Sequence, residues 1–172
     1  MNKAFVFDFD DTLAKTDACV LVHTNWLPMG MTNPSVQLTP AEFNDYELKE
    51  GERFDFSEFR CASLIENGRP TELMQLAKEV YDENHSVYIL TARSDDVSDA
   101  IAKFLSLHGI EAKQIICVGD NDGHNGIAAG KRKSLITIMK LYDKIYFYDD
   151  NKENIELANE IGVKTHLILY QR

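Results

Sequence analysis

The feature that most constrains the fold is a short apolar run near the N-terminus that leads into three acidic residues. Residues 4–9 read Ala-Phe-Val-Phe-Asp-Phe, and Asp10 and Asp11 follow directly before Thr12. Because such a run is typical of a strand buried on both faces, we expect it to lie in a parallel sheet. The acids then lie at the carboxyl end of the strand, where open α/β sheets bind their ligands. Buried carboxylates are unfavourable unless they are paired or bind a metal, so this pattern indicates a cation site.

From residue 70 onward the sequence alternates regularly between helix and strand patterns. Apolar runs at 87–90, 114–118, 144–148 and 165–170 predict further strands, and apolar residues at helical spacing lie between them. Strands joined by helices favour parallel, right-handed connections. The predicted fold class is therefore α/β, with a doubly wound, Rossmann-like, parallel five-stranded sheet.

Residues 15–69 interrupt this alternation. The part at 26–40 is rich in proline and glycine, which predicts a loop or a short hairpin. Thr39-Pro40-Ala41-Glu42 has the pattern of a capping box with proline at the first helical position, and it predicts a short helix that reaches about Leu48. We interpret 15–69 as a small insertion, a flap or minimal cap, within a single domain of residues 1–172.

Composition and charge limit the possible partners. The formal net charge of −10 disfavours a broad electrostatic contact with long nucleic acid, although a local basic patch can hold a short one. No apolar segment is long enough to span a bilayer and the first residues lack a signal-peptide pattern, so we expect no membrane partner. The odd number of cysteines, three, predicts reduced thiols and a cytoplasmic protein. The oligomeric state is left open.

Residues able to perform chemistry collect where the predicted strands end. Asp8 and Asp10 close the first strand, Thr91 closes the second, and Asp149 and Asp150 close the fourth. Strand alternation places Asp8 and Asp10 on the same side of the backbone. Two carboxylates joined by one from another strand form an oxygen-rich site that suits Mg²⁺. One carboxylate can attack phosphorus, another can transfer protons, and a threonine hydroxyl with a lysine ammonium can hold the phosphoryl oxygens.

The motifs at these strand ends resemble those of the haloacid dehalogenase-like (HAD) phosphohydrolases. Residues 8–12 match the DxDxT signature of that family, and Thr91 after an apolar strand resembles its second motif. A glycine-rich loop at 119–130, followed by a lysine that opens a helix, resembles the third motif. Tyr148-Asp149-Asp150 ahead of Asn154 resembles the fourth. The resemblance covers the chain except for the predicted insertion.

The resemblance implies roles for individual residues. Asp8 would be the nucleophile, Asp10 the general acid and base, and Mg²⁺ would be held by Asp8, the Asp10 carbonyl and Asp149. Thr12 would mark a tight turn into a mobile flap, with Asp11 as a turn residue outside the chemistry. The acid at the second position of the signature favours phosphatases over true dehalogenases, which lack it.

The lysine of the third motif has two candidates, Lys131 and Lys133. In a helix, Lys131 shares a face with apolar residues that include Leu135 and Ile138, whereas Lys133 aligns with Ile136 and more polar neighbours. The face that packs inward begins closer to the site. We therefore predict that Lys131 binds the phosphoryl group.

Two further residues keep open roles. Asp150 is a candidate metal ligand, a residue that supports a ligand, or the cap of the last helix. Arg93, in Thr91-Ala92-Arg93, either reaches the substrate phosphate or solvates its loop. This Thr-x-Arg pattern resembles the second motif of polynucleotide 3′-phosphatases within the family, and on that basis Arg93 is a predicted substrate-binding residue beside Thr91 and Lys131.

The function predicted from these residues is a Mg²⁺-dependent phosphomonoester hydrolase that acts through an aspartyl-phosphate intermediate. The favoured substrate is a nucleotide or a terminal (3′) phosphate of a nucleic acid, as in the small phage and bacterial phosphatases that the chain resembles. Two other classes stay open. One is a phospho-accepting receiver module, although Thr91 precedes the third strand, which is the wrong order for a receiver. The other is a catalytically slow HAD-like interaction protein.

Overall fold

The computed structural model describes residues 1–24, 34–119 and 126–169. Across these ranges the strands, in chain order, are β1 (Lys3–Phe7), β2 (Ala14–Lys15), β3 (Val20–His23), β4 (Val36–Leu38), β5 (Arg53–Asp55), β6 (Arg69–Pro70), β7 (Ser86–Thr91), β8 (Gln114–Cys117), β9 (Lys144–Asp149) and β10 (Lys164–Leu167). The helices are α1 (Pro40–Asn44), α2 (Ala62–Glu66), α3 (Leu73–Asp82), α4 (Ser98–Leu107), α5 (Gly126–Met139) and α6 (Lys152–Glu160). Short 3₁₀ turns cover Ser57–Arg60 and Asp95–Val97.

Within the described residues, the central sheet has five parallel strands in the order β10-β9-β1-β7-β8. The doubly wound α/β sheet predicted from the sequence is confirmed. After β8 the chain crosses β1 and continues as β9 on its other side, so the winding reverses beside β1. Open α/β sheets bind ligands beyond the carboxyl ends of their strands at such a point. The residues that follow β1 and β9 are therefore the first place to look for a site.

Strand β1 is buried because helices cover both faces of the sheet. Phe5 and Phe7 belong to one core cluster, which includes Phe104 of α4. Val6, which points to the opposite face, belongs to a second cluster, which includes Leu135 of α5. This burial on two sides is the reason that the N-terminal run is apolar throughout instead of alternating with polar residues.

Between β2 and β6 the chain forms a small antiparallel sheet in the order β4-β3-β5. Its apolar residues form a separate small core, which contains Val20, Val22, Leu38, Phe43, Phe54 and Phe59. Strands β2 and β6 pair antiparallel, with Ala14 opposite Pro70, so the two ends of this segment are joined. That residues 15–69 act as an insertion within one domain stays a prediction.

The capping box predicted at Thr39 is confirmed. Its side chain accepts a hydrogen bond from the Glu42 N–H at 3.3 Å, and the Glu42 carboxylate accepts one from the Thr39 N–H at 2.8 Å. The helix is shorter than predicted, since it ends at Asn44 rather than near Leu48. The predicted loop or hairpin at 26–40 lies partly outside the described residues, and in its described part β4 pairs with β3.

Helix α5 starts earlier than predicted. The chain is helical from Gly126, so the predictions that a loop extends to Gly130 and that Lys131 opens the helix are wrong. Ile127 and Ala128 explain the difference, because Ala128 is buried and Ile127 packs against the core. This burial offsets the low helix propensity of the glycines. The residues directly before Gly126 lie outside the described part of the chain.

The structure bears on two expectations from composition, membrane spanning and disulfide formation. Among the described helices, none combines the length and the apolar character needed to cross a membrane. No disulfide joins Cys19, Cys61 and Cys117, all of which lie in the described part of the chain.

Phe104→Ala tests the core beneath β1, with Leu107→Ala on the same helix as its control. Phe104 is 1% exposed and its ring meets that of Phe9 edge-on, whereas Leu107 is 71% exposed. We expect Phe104→Ala to lower the free energy of unfolding by about 3–5 kcal/mol, since it leaves a cavity. Leu107→Ala should change it by less than about 0.5 kcal/mol. Urea unfolding measures both, and equal effects would contradict the assigned core.

Candidate active site

The carboxyl ends of β1 and β9 bring two aspartates together. Asp8 follows β1 directly, and its N–H donates to the Tyr148 carbonyl of β9 at 2.8 Å. Asp149 is the last residue of β9, so its side chain lies beside that of Asp8. Both carboxylates are buried, and Asp149 has no exposed surface. A neutralising partner is therefore required.

Lys131 of α5 supplies this partner. Its Nζ donates to Asp8 Oδ1 at 2.6 Å and to Asp149 Oδ2 at 2.7 Å, and the residue is 2% exposed. Lys133, the other candidate, is exposed. The helical face that carries Lys131 continues into buried Leu135, which explains why this lysine and not its neighbour enters the site.

Each aspartate has further hydrogen bonds. The Thr12 hydroxyl donates to Asp8 Oδ2 at 3.0 Å, across the turn that follows β1. Asn154 Nδ2 contacts both oxygens of Asp149, at 3.1 and 3.0 Å, and the Asn151 N–H donates to Asp149 Oδ1 at 2.8 Å. In the sequence, Asn154 is distinguished only as part of the fourth motif. Its position in the first turn of a helix directly after the acidic strand end was the available signal for this role.

Asp150 completes an acidic group. Carboxylate oxygens of Asp8, Asp149 and Asp150 lie within 4.8 Å of one another. Asp150 is not the cap of the last helix, since Asn151 has that role and its side chain accepts from the Asn154 N–H at 3.2 Å. The structure therefore removes one of the three roles that the sequence left open for Asp150.

Electrostatics in this group favour a bound cation. Burial, opposed by Lys131 and reinforced by Asp149, raises the pKa of Asp8 well above its usual value. Burial and the neighbouring Asp149 charge raise the pKa of Asp150 to about 7. Burial disfavours the Lys131 ammonium, but the carboxylates of Asp149 and Asp8 outweigh it and raise its pKa. One ammonium thus faces three acids, and their hard oxygen ligands fit Mg²⁺.

Asp10 lies apart from this group in its contacts. Strand β1 ends at Phe7, and Asp11 adopts a φ of 55° in the turn that follows, as expected for a turn residue. The predicted alternation of Asp8 and Asp10 along one strand is therefore wrong. The Asp10 carboxylate instead accepts from Arg93 Nε at 2.9 Å and from Arg93 Nη2 at 2.7 Å.

Thr91 is the last residue of β7, the neighbour of β1, and Arg93 follows two residues later. Thr91 is fully buried, and its hydroxyl accepts from the Arg93 N–H at 3.2 Å. Arg93 is also buried, so of the two roles that the sequence left open for it, the one in which it solvates its loop is excluded. The Gly119 N–H donates to the Arg93 carbonyl at 3.1 Å, and a Cβ at Gly119 would collide with the carbonyl of Ala92. The backbone at Arg93 therefore packs directly against the backbone at Gly119.

Solved structures of other proteins share the fold of this chain. The sequence matches no protein-family model and no curated protein. Among solved structures, a chain of the Pnkp1/Rnl/Hen1 RNA repair complex is similar with a TM-score of 0.59 and 14% identity. The match covers 98% of this chain and 42% of that one, so this chain spans less than half of its length.

Two further similarities extend over most of both chains. A haloacid dehalogenase-like family hydrolase from Streptococcus pneumoniae has a TM-score of 0.54 and 17% identity, covering 95% of this chain and 83% of that one. A HAD-family enzyme from Bacteroides thetaiotaomicron, in complex with magnesium and inorganic phosphate, has a TM-score of 0.52 and 15% identity, covering 97% and 94%. The chain has the HAD-like hydrolase fold, as the resemblance of its motifs predicted.

Lys131→Met tests whether the buried ammonium holds the two aspartates together, with Lys133→Met as the matched control. Loss of Lys131 leaves buried carboxylates without their partner, so in metal-free buffer we expect the free energy of unfolding to fall by about 3–5 kcal/mol. Lys133→Met should change it by less than about 0.5 kcal/mol. Urea unfolding in the presence of a chelator measures both. Equal losses in the two variants would show that the ion pairs of Lys131 are not the cause.

Proposed function

We propose that this chain is a Mg²⁺-dependent phosphomonoester hydrolase that works through an aspartyl-phosphate on Asp8. The observation that carries the proposal is the Lys131 ammonium between Asp8 and Asp149, with Asp150 beside them, where the winding of the sheet reverses. A nucleophilic carboxylate, a buried cation and an acidic cluster at one strand edge suit displacement at phosphorus. The fold shared with HAD-like hydrolases supports the same reaction class.

In the first step, an Asp8 carboxylate oxygen bonds to phosphorus while the bond from phosphorus to the substrate oxygen breaks. Asp10 gives its proton to the departing oxygen, which leaves as an alcohol. In the second step Asp10 takes a proton from water, and the resulting hydroxide attacks phosphorus. The bond to Asp8 then breaks, so inorganic phosphate leaves and both aspartates return to their starting states.

The surrounding residues hold the reacting groups. The Thr12 hydroxyl bonds one Asp8 oxygen at 3.0 Å and Lys131 bonds the other at 2.6 Å, which fixes the plane of the nucleophile. In the proposal Lys131 and the Thr91 hydroxyl then bind phosphoryl oxygens as negative charge builds on them. Asp8, Asp149 and the Asp10 carbonyl would hold Mg²⁺, with Asp150 as a further candidate ligand. The bound ion would offset the negative charges of the carboxylates and the phosphoryl group.

For the substrate we propose a nucleotide or a terminal 3′-phosphate of a nucleic acid. The Thr91-Ala92-Arg93 pattern and the shared fold with a chain of an RNA repair complex both support this class. The net charge of −10 favours a small ligand or a short nucleic-acid end over a long polyanion. The proposed insertion at 15–69 would form a flap that leaves the entrance partly open.

Asp8→Asn tests the nucleophile. A neutral amide cannot form the acyl phosphate, so we expect turnover to fall below detection while the thermal unfolding temperature stays near that of the wild type. Turnover is measured on a panel of nucleotides and of oligonucleotides with 3′- or 5′-phosphate, with and without a chelator of Mg²⁺. Wild-type activity should be highest on the favoured class and should vanish on chelation.

Asp17→Asn is the matched control for this test, because Asp17 is an exposed acid whose side chain is 77% accessible. It should keep full activity. Activity retained by Asp8→Asn, or full wild-type activity without metal, would overturn the mechanism. A wild-type protein that becomes phosphorylated but turns over only once would instead favour the receiver class.

Asn154→Ala tests the support of the metal site. Loss of the two hydrogen bonds to Asp149 frees that carboxylate, so we expect the concentration of Mg²⁺ for half-maximal activity to rise about 10–100-fold. Asn159→Ala lies on the same helix, where its side chain bonds Thr165 at 2.7 Å, and should leave this concentration unchanged. Titration of activity with Mg²⁺ compares the two variants. An unchanged midpoint in Asn154→Ala would contradict the supporting role.

A further inference from the structure

The guanidinium of Arg93 is bound to Asp10 along one edge. Nε and Nη2 donate to the two carboxylate oxygens at 2.9 and 2.7 Å, which is the bidentate geometry that holds both groups in one plane. The Arg93 side chain is 1% exposed and that of Asp10 is 15% exposed. At this burial the pair is screened far less than an ion pair on the surface.

The rest of the guanidinium is held by the segment between β2 and β6. Nη1 donates to the Phe59 carbonyl at 2.6 Å, and Nη2 donates to the Thr16 hydroxyl at 3.2 Å. The Phe59 ring lies 4.9 Å from the guanidinium carbon, at cation–π distance. Arg93 therefore has fixed partners on both edges and on one face.

The Asp8 carboxylate has different hydrogen-bond partners from the Asp10 carboxylate. Among the described residues, the side chains that hydrogen-bond the Asp8 carboxylate are Lys131 and Thr12, and Arg93 donates to neither of its oxygens. A guanidinium that bound the substrate phosphate would have to give up a buried bidentate pair to do so. Breaking such a pair leaves a buried charge without its partner and is strongly unfavourable.

We propose that Arg93 is a positioning residue that orients the Asp10 carboxylate for proton transfer, in place of the phosphate-binding role predicted from the sequence. The inference rests on the proposed function, since it assigns Arg93 a task within that reaction. Asp10 lies in a turn after β1 ends, so the strand alone does not orient its side chain. The pair with Arg93 provides that orientation and links it to the position of Phe59.

A double-mutant cycle separates the two roles. We expect Arg93→Gln to lower kcat on the order of a hundredfold, the lower range for loss of general acid–base catalysis. Its KM and its inhibition constant for inorganic phosphate should change by less than about twofold, because replacing a residue that does not contact phosphate does not weaken phosphate binding. In the Asp10→Asn background, adding Arg93→Gln should cause no further loss, because the two residues act as one unit. A nucleoside 3′-monophosphate serves as the substrate, because its alkoxide is a poor leaving group and its departure depends on the proton that Asp10 gives.

Three further variants guard against a structural cause. Arg69→Gln, at an exposed arginine that pairs with Asp17 at 3.5 Å, should leave every constant unchanged. Arg93→Lys retains the charge without the bidentate geometry and should recover only part of kcat. If a thermal unfolding measurement shows that Arg93→Gln is not folded, Thr16→Val provides a milder test. It removes the neutral hydroxyl that accepts from Arg93 and donates to Asp10 Oδ1 at 3.5 Å, and it should lower kcat severalfold without changing phosphate inhibition.

The outcomes distinguish this inference from the proposed function. An active wild type and an inactive Asp8→Asn variant would support the proposed function. If, in addition, the losses of Arg93→Gln and Asp10→Asn multiply and phosphate inhibition weakens, then Arg93 binds phosphate and only its positioning role is overturned. An unchanged kcat in Arg93→Gln or in Thr16→Val would also overturn it. Activity that survives in Asp8→Asn would overturn the proposed function itself.

Discussion

The ammonium of Lys131 lies between two carboxylates that are buried side by side, and the rest of the site depends on it. Two like charges repel each other strongly in a poorly hydrated site, so the buried carboxylates of Asp8 and Asp149 need a cation between them. The lysine comes from α5, whereas the aspartates end β1 and β9. The packing of α5 against the sheet therefore places the counter-charge of Asp8, the proposed nucleophile. Asp150 adds a third acidic group that Lys131 does not balance, and in the proposed mechanism a divalent ion would offset its charge.

The strands and their acidic ends were predictable because they follow from local patterns. A run such as Ala4–Phe7 can be buried on both faces only in a covered parallel sheet, and the acids that follow must then lie at its carboxyl end. The choice of Lys131 over Lys133 also followed from helical periodicity, because Leu135 lies one turn further on the buried face. These predictions needed no knowledge of distant contacts.

Contacts between distant parts of the chain were not predictable in this way. Arg93 and Asp10 are 83 residues apart, and nothing in either local sequence indicates that they pair. The expectation that β1 continues to Asp10 is wrong because the strand ends at Phe7 and a turn follows, in which Asp11 has a positive φ. The run of acids in the sequence does not mark this end of the strand. The start of α5 at Gly126 was missed for a similar reason, since glycines favour a loop until tertiary burial of Ala128 outweighs their propensity.

The antiparallel pairing of β2 and β6 allows the segment between them to change in length during evolution. With Ala14 opposite Pro70, the chain leaves the central sheet and returns to it at almost the same place. The entropy of closing a loop grows only slowly with its length, so residues can be gained or lost between these strands at small cost to stability. The register of β1, and with it the placement of Asp8, is unaffected by such changes. In the proposed enzyme, substrate preference could therefore diverge among descendants of this chain while Asp8 and Asp10 stay in place, provided that a carbonyl remains where Phe59 meets Arg93.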